Sequence, residues 1–437
     1  MSRLALSDTD KQARDWFVET TKALGCDVVV DEMGNTFAVR RGRRSDLAPI
    51  YAGSHLDTQP AAGRYDGILG ILAGVEMLKI LNDHQVETEH PIGVVNWTNE
   101  EGARFPISMV SSGVWAEEIP LQRAHSLREV GGGIATIKSE LERIGYLGRV
   151  PASYRSTPMT AHFELHIEQG PILEAEKQKV GVVQGVQAYK WYTIDVEGRG
   201  RLLYTHVRTE QERPDGIMNA DKISAASHTG TTPFPARADA LLLAANLITH
   251  SNRVATKHSA LASTGLLKLS PGSVNTVPGH VRFSLDVRAV ADGIVEAVES
   301  ELKRDFAIFS QGASHDSAPS HEIKHGLPLS VKWTTDLESP AVLFHQDCIT
   351  TVRAAAKSVL GDNRLYRDMT SGAGHDSVYT SRRCPTSMIF VPSRNGISHH
   401  PEEWTDAEDC ALGAEVLCQS VLRYDRKMAQ GHVQDSS

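Results

Sequence analysis

Short apolar runs alternate along this chain with segments of helical periodicity, and these runs break directly into loops dense in His, Asp, Glu and Gly. The run "APIYAG" leads into "SHLDTQPAAGRYDG", residues 54–67, and the following "ILGILAGVEMLKIL" has the i, i+3, i+4 apolar spacing of a packed helix. Strand, polar loop and helix in that order make one unit of an α/β protein. The expected architecture is a mixed central sheet covered by helices. Loops leaving the carboxyl ends of such strands gather on one edge of the sheet, where ligands bind.

At 437 residues the chain exceeds one ordinary core, and its texture changes after "HFELHIEQGPILE". The run "VGVVQGVQAYKWYTIDVEGRG" alternates like a strand with one exposed face. After it, "ADALLLAANLITHSNRVA" reads as a helix, "GSVNTVPGHVRFSLDVRAV" as a strand and "GIVEAVESELKRDFAIF" as another helix. That is a compact α+β unit. From about Val331 the buried patterns return, as in "TTVRAAAKSVL" and "TSMIFVPS". The expected division is a domain in two segments, 1–186 and 333–437, with a smaller α+β domain inserted at 187–332.

The net charge of −9, without any long Lys/Arg run, excludes nucleic acid and anionic membrane as partners. No apolar run is long enough to span a bilayer, and "MSRLALSDTDKQARDW" lacks the apolar core of a secretion signal, so a cytoplasmic location is expected. The five cysteines, Cys26, Cys348, Cys384, Cys410 and Cys418, are scattered without a CxxC pair. Neither a disulfide framework nor a thiolate zinc site is suggested. Any bound metal must be held by imidazoles and carboxylates.

Candidates for that role stand at the ends of apolar runs. "WTNEEGARF" carries Glu100 and Glu101, "ELHIEQG" carries His166, Glu168 and Gln169, "SGAGHDS" carries His375 and Asp376, and "NGISHHPEEWT" carries His399, His400 and Glu403. Adjacent glutamates point in different directions and repel each other when close. A metal resolves the conflict: one carboxylate ligates it while the other accepts a proton from the attacking water. Taken singly, the Glu pair reads as a solvated loop, His166 as a strand-end core histidine and His399 as a turn residue before Pro401. Taken together, His55, Asp66, Glu101, His166 and His399 supply the nitrogen and oxygen ligands suited to two divalent ions bridged by one carboxylate.

These residues also carry a resemblance. The motifs "GSHLDTQPAAGRYDG", "TNEEGARF", "HIEQGP", "HTGTTPFPARADAL", "GSVNTVPG", "FSLDVR", "SGAGHD" and "GISHHPEE" span nearly the whole chain. In that order they resemble the peptidase-like dinuclear metal amidohydrolases, and among them the hydantoinase/carbamoylase branch. That branch holds N-carbamoyl-L-amino-acid hydrolases, β-ureidopropionases and allantoate amidohydrolases. The resemblance implies that His55, Asp66 and His166 hold one metal and that Asp66, Glu101 and His399 hold the second, with Asp66 bridging. It implies that Asp57 orients the His55 imidazole from behind and that Glu100 is the general base. Gln169, Asn275 and Arg288 fall on substrate positions, Arg288 suiting a substrate carboxylate, and His228 on the residue that stabilises the oxyanion. Alone, Arg288 would read as a strand arginine with an ion-pair partner. His375 and Asp376 would shape the pocket wall, and His400 and Glu403 would serve as turn and supporting groups. The inserted domain looks like the family's lid and dimer interface, which implies a homodimer.

The implied reaction is hydrolysis of the carbamoyl amide of N-carbamoyl amino acids, a small ureido substrate, with allantoate hydrolysis as the alternative. A non-catalytic homologue that binds a ureido compound is the rival of another class. Zinc suits the ligands, and manganese, cobalt or nickel would also fit. One segment departs from the family pattern. Residues 201–226, "RLLYTHVRTEQERPDGIMNADKISAA", interrupt what would otherwise run from "VEGRG" into "SHTGTTP", and they lack helical or strand periodicity. An in-frame retained intron or a genuine surface loop would account for them, and either leads to an expected excursion with little packing.

Overall fold

A computed structural model describes residues 1–198, 226–311 and 327–434, with side chains to 430. Apart from Ala226, the atypical segment 201–226 lies outside the described residues. The chain divides into two compact units, Met1–Val186 with Val342–Ser437, and Gln187–Ala341. Among the described residues, no helix is long and apolar enough to cross a membrane.

The first unit is built on a nine-stranded mixed sheet. At its centre Ile92–Trp97, Ile50–His55, Ala161–Ile167 and Thr386–Val391 lie side by side in that order and run parallel. Every residue of these strands is buried. That is why they read as continuous apolar runs rather than alternating ones. Antiparallel strands flank them, Thr36–Arg40 beside Ile92–Trp97 and Val180–Val186 beside Thr386–Val391. The helices Ile68–Asp83, Gln346–Leu360 and Ala407–Gln434 close over the sheet. Ile71, Leu78, Val352, Ala355, Leu417 and Val421 of these helices are fully buried in one core with Ala52, Val94 and Leu165 of the strands.

The N-terminal helix Asp8–Ala23 starts where the Ser7 hydroxyl accepts the Asp10 amide proton. Within it Asp10 and Arg14 form a fully buried ion pair at 2.7 Å. The pair gains two bonds from outside the helix, since Leu6 N–H donates to Asp10 and Arg14 donates to the Gly34 carbonyl, both at 2.8 Å, while Asp10 Oδ1 and Arg14 Nη2 have no partner among the described residues. Such bonds help offset the desolvation of a buried charge pair. Just before this helix, residues Arg3 and Thr58 exchange backbone and hydroxyl hydrogen bonds, which fastens the N-terminal segment to the loop after Ile50–His55.

The second unit is a five-stranded antiparallel sheet with the helices Ala240–Lys257 and Asp292–Ser310 packed on it. Its central pair is His280–Ala289 with Ala188–Gly198. Burial alternates along His280–Ala289, and the inward Val281, Phe283, Leu285 and Val287 meet Leu243, Leu247, Leu302 and Phe306. Two expectations need correction. The apparent single strand beginning at Val180 is two strands in different sheets, Val180–Val186 and Ala188–Gly198, because the chain passes from one unit to the other at Gln187. The second unit also extends past 332 to Ala341, because Leu329–Ser339 pairs along Tyr189–Gly198.

Candidate metal centre

Four parallel neighbours deliver their carboxyl ends to one edge of the first unit's sheet. His55 ends its strand, His166 is the penultimate residue of its own, and Glu100, Glu101 and His399 follow Trp97 and Val391 in the loops beyond. Asp66 enters from the loop that turns into Ile68–Asp83. Gly67 makes that turn with φ 68°, and a Cβ there would lie 2.4 Å from the His55 ring. Glycine is required by both the backbone conformation and the close approach.

Asp66 sits at the centre of the cluster. Its Oδ1 lies 3.1 Å from His166 Nε2 and 3.6 Å from His55 Nε2, while its Oδ2 lies 3.2 Å from His399 Nε2. Glu101 Oε2 is 3.4 Å from the same His399 nitrogen. The ligand-capable atoms of His55, Asp66 and His166 fall within 4.8 Å of one another, as do those of Asp66, Glu101 and His399. One carboxylate thus offers one oxygen to each of two triads.

The donor set fits divalent cations. Three imidazoles and two carboxylates are nitrogen and oxygen ligands of the kind borderline metals take. Two of their atoms, His55 Nε2 and Glu101 Oε1, are buried without a hydrogen-bond partner among the described residues. Buried polar atoms are seldom left that way. Glu100 belongs to neither triad, although its Oε2 is 3.5 Å from His55 Nε2.

Charge is concentrated accordingly. Burial alone would push His55 down, but Glu100, Asp66, Asp57 and Glu101 outweigh it and hold the imidazole well above its ordinary pKa. Burial would raise Asp66, yet the His166, His399 and His55 imidazoles around it hold it well below the usual carboxylate range. Burial also lifts Glu100 well above that range, only partly offset by His55. A buried carboxyl of raised proton affinity is suited to taking up and giving back a proton.

Surrounding groups orient the candidate ligands. His55 Nδ1 donates to the Asp57 backbone carbonyl and His166 Nδ1 to that of Ile167, each at 2.9 Å, which leaves both Nε2 atoms directed at Asp66. The expectation that the Asp57 carboxylate orients His55 is therefore corrected. Only Leu56 separates them, and the chain turns so that the carbonyl reaches the ring. The carboxylate instead accepts the backbone N–H groups of Glu100 at 3.2 Å and Glu101 at 3.3 Å, so it sets the Glu pair. Gln169, expected at the substrate, donates from Nε2 to Asp66 Oδ2 at 2.7 Å and to Ser398 at 3.0 Å.

Sequence reasoning missed Gln59, which donates to Glu101 Oε2 at 2.9 Å, and buried Glu164, which accepts from Ser54 and Ser377. Glu164 was findable: it stands two residues before His166, on the same face of the strand. With His166 and His375 it forms a third group of ligand-capable atoms.

His228, Asn275 and Arg288 belong to the second unit. The short pairing of Ser227–His228 with Thr276–Val277 brings His228 and Asn275 together, and Thr229 N–H donates to the Asn275 carbonyl at 2.9 Å. His228 Nδ1 accepts the N–H groups of Gly230 and Thr231, so its proton is on the exposed Nε2. Arg288 pairs with Asp286 at 2.8 Å and stacks over Tyr189 at 5.0 Å.

Comparison with known proteins places this geometry. Residues 51–423 match the peptidase family M20/M25/M40. The chain is 35% identical to an N-carbamoyl-L-amino-acid amidohydrolase of Rhizobium meliloti, covering 96% of this chain and 90% of that protein. It is 30% identical to a ureidoglycolate hydrolase of Oryza sativa subsp. japonica, covering 97% and 80%. The crystal structure of an amidase of the hydantoinase/carbamoylase family from Burkholderia multivorans superposes with a TM-score of 0.82 at 40% identity, covering 97% of this chain and 92% of that one. With two candidate metal-ligand triads sharing one aspartate and full-length similarity of this kind, the chain belongs to the peptidase family M20/M25/M40, on its hydantoinase/carbamoylase branch.

Proposed function

We propose that the protein is a metal-dependent amidohydrolase that cleaves the carbamoyl amide of N-carbamoyl amino acids. The observation that carries this reading is Asp66 facing two ligand triads beside Glu100, a buried carboxylate outside both. Full-length similarity to a named N-carbamoyl-L-amino-acid amidohydrolase supports the substrate class.

His55, Asp66 and His166 would hold one divalent ion and Asp66, Glu101 and His399 the other, zinc suiting the set as manganese, cobalt or nickel also would. Such ions supply Lewis acidity, which lowers the pKa of water from about 15.7 to about 7 and polarises a carbonyl. Glu100 accepts the proton of the attacking water as its oxygen bonds to the carbamoyl carbon. It then delivers that proton to the amino-acid nitrogen as the carbon–nitrogen bond breaks. The amino acid leaves, and the carbamate decays to ammonia and carbon dioxide. His228 Nε2–H would donate to the developing oxyanion, Gln169 and Asn275 would bind the ureido group, and Arg288 would bind the carboxylate. The second unit would serve as lid and as the interface of a homodimer, in a cytoplasmic enzyme.

The test is ammonia and amino-acid release from N-carbamoyl-L-amino acids, N-carbamoyl-β-alanine, ureidoglycolate and allantoate, after chelation and again after metal is restored. Activity on a carbamoyl amino acid that chelation removes and metal restores is expected. Turnover of allantoate alone would shift the substrate assignment, and ureido binding without turnover would show a non-catalytic homologue.

Arg288 gives a separate prediction. Arg288→Lys should raise KM for carboxylate substrates about tenfold or more, since a point charge replaces a planar fork and hydrogen bonds to charged groups are worth roughly 1.5–3 kcal/mol. Steady-state kinetics would check it, and an unchanged KM on every substrate would leave Arg288 to its ion pair with Asp286.

A further inference from the structure

Two segments more than three hundred residues apart in sequence are locked together by one side chain, Glu403. It is buried, and its Oε1 accepts the backbone N–H groups of Tyr65 at 2.9 Å and Asp66 at 3.2 Å. Its Oε2 lies 3.4 Å from the Ser398 hydroxyl, which also lies 3.0 Å from Asp66 Oδ2. Ser398 immediately precedes His399. The neighbouring residues reinforce the join, for the Tyr65 and Trp404 rings meet edge to face at 5.8 Å. The facing loop is shaped to admit the carboxylate: a Cβ on Gly63 would stand 2.3 Å from both Glu403 Cβ and Oε1.

We infer that Glu403 is a positioning residue which sets the spacing between Asp66 and His399, and so the geometry of the triad these two form with Glu101. The inference rests on the dinuclear reading above. Hydrogen bonds from two successive amides to one carboxylate oxygen are directional, so they fix the backbone from which the Asp66 carboxylate projects. The same carboxylate meets Ser398 beside His399, which ties the second ligand to the first. No part of this requires Glu403 to touch metal or substrate. Groups behind metal ligands typically change metal affinity about 10–100-fold when removed.

The experiment compares Glu403→Ala, Glu403→Gln and Gly63→Ala with the full-length protein. Two readouts are taken: metal affinity by titration with zinc, and hydrogen exchange of the Tyr65 and Asp66 amides in metal-free protein. In Glu403→Ala a loss of metal affinity of about 10–100-fold is expected, together with loss of protection at both amides. Glu403→Gln keeps an oxygen that can accept both N–H groups and should keep both properties. Gly63→Ala should reproduce the alanine variant, because it displaces Glu403 without removing it, and it decides the matter should Glu403→Ala not fold. Wild-type affinity and wild-type protection in Glu403→Ala, or in Gly63→Ala, would overturn the inference. If the wild-type protein takes up no metal, the dinuclear reading falls, while the exchange comparison still decides whether Glu403 holds the Asp66 loop.

Discussion

Glu100→Gln should lower kcat by about 10²–10⁴-fold, the usual contribution of a positioned general base, while both metal ions stay bound. The amide is nearly the same size as the carboxylate and leaves both triads complete, since Glu100 is in neither. The backbone N–H of Glu100 would remain on Asp57, so the loop should not move. What disappears is the ability to take up a proton. Glu101→Gln provides the contrast: Glu101 Oε2 faces His399 and receives Gln59, so loss of its charge should weaken one ion as well as activity. Metal analysis beside single-turnover kinetics separates the two variants. Equal metal loss in both would mean that base and ligand have been exchanged.

Asp66→Ala should remove both ions and all measurable turnover. Asp66 is the residue common to the two expected ligand triads, and its oxygens face opposite ways, Oδ1 to His55 and His166, Oδ2 to His399. By comparison, His399→Ala should remove one ion and leave the triad of His55, Asp66 and His166 intact. Elemental analysis of the purified variants would check this, and a tightly held ion in Asp66→Ala would defeat the bridging role. The electrostatics add a direction. Without metal, the carboxylates raise the proton affinity of His55, and hydrogen bonding to Asp66 raises that of His399. Metal must displace those protons, so loading should release protons and weaken as pH falls.

Much of the scaffold behind these predictions was legible along the chain. Ile50–His55 and Thr386–Val391 are buried on both faces, so their apolar runs are continuous and visible. The helix Ile68–Asp83 keeps Ile71, Leu78 and Leu81 against the sheet, and helical spacing records that directly. Residues at the ends of those runs could be recognised by type, because imidazoles and carboxylates after a buried strand are costly unless something uses them. The break at Gln187 was hidden inside one uninterrupted β-like run: a strand's residues show that it is a strand, not which sheet it joins.

Periodicity, composition and motif order therefore determined the fold class, the candidate ligand types and the position of each loop. Tertiary structure decided which atom does what. Asp57 supplies a carbonyl to His55 and a carboxylate to the Glu pair, a choice made by the turn of the chain between them. Glu403 reaches Tyr65 and Asp66 across the gap between two loops, and no spacing in the sequence records that distance. The physical reason is one of range. Burial of a face repeats every two or 3.6 residues and leaves a local pattern. A hydrogen bond between distant loops depends on a separation of about 3 Å that exists only after the strands beneath them have paired.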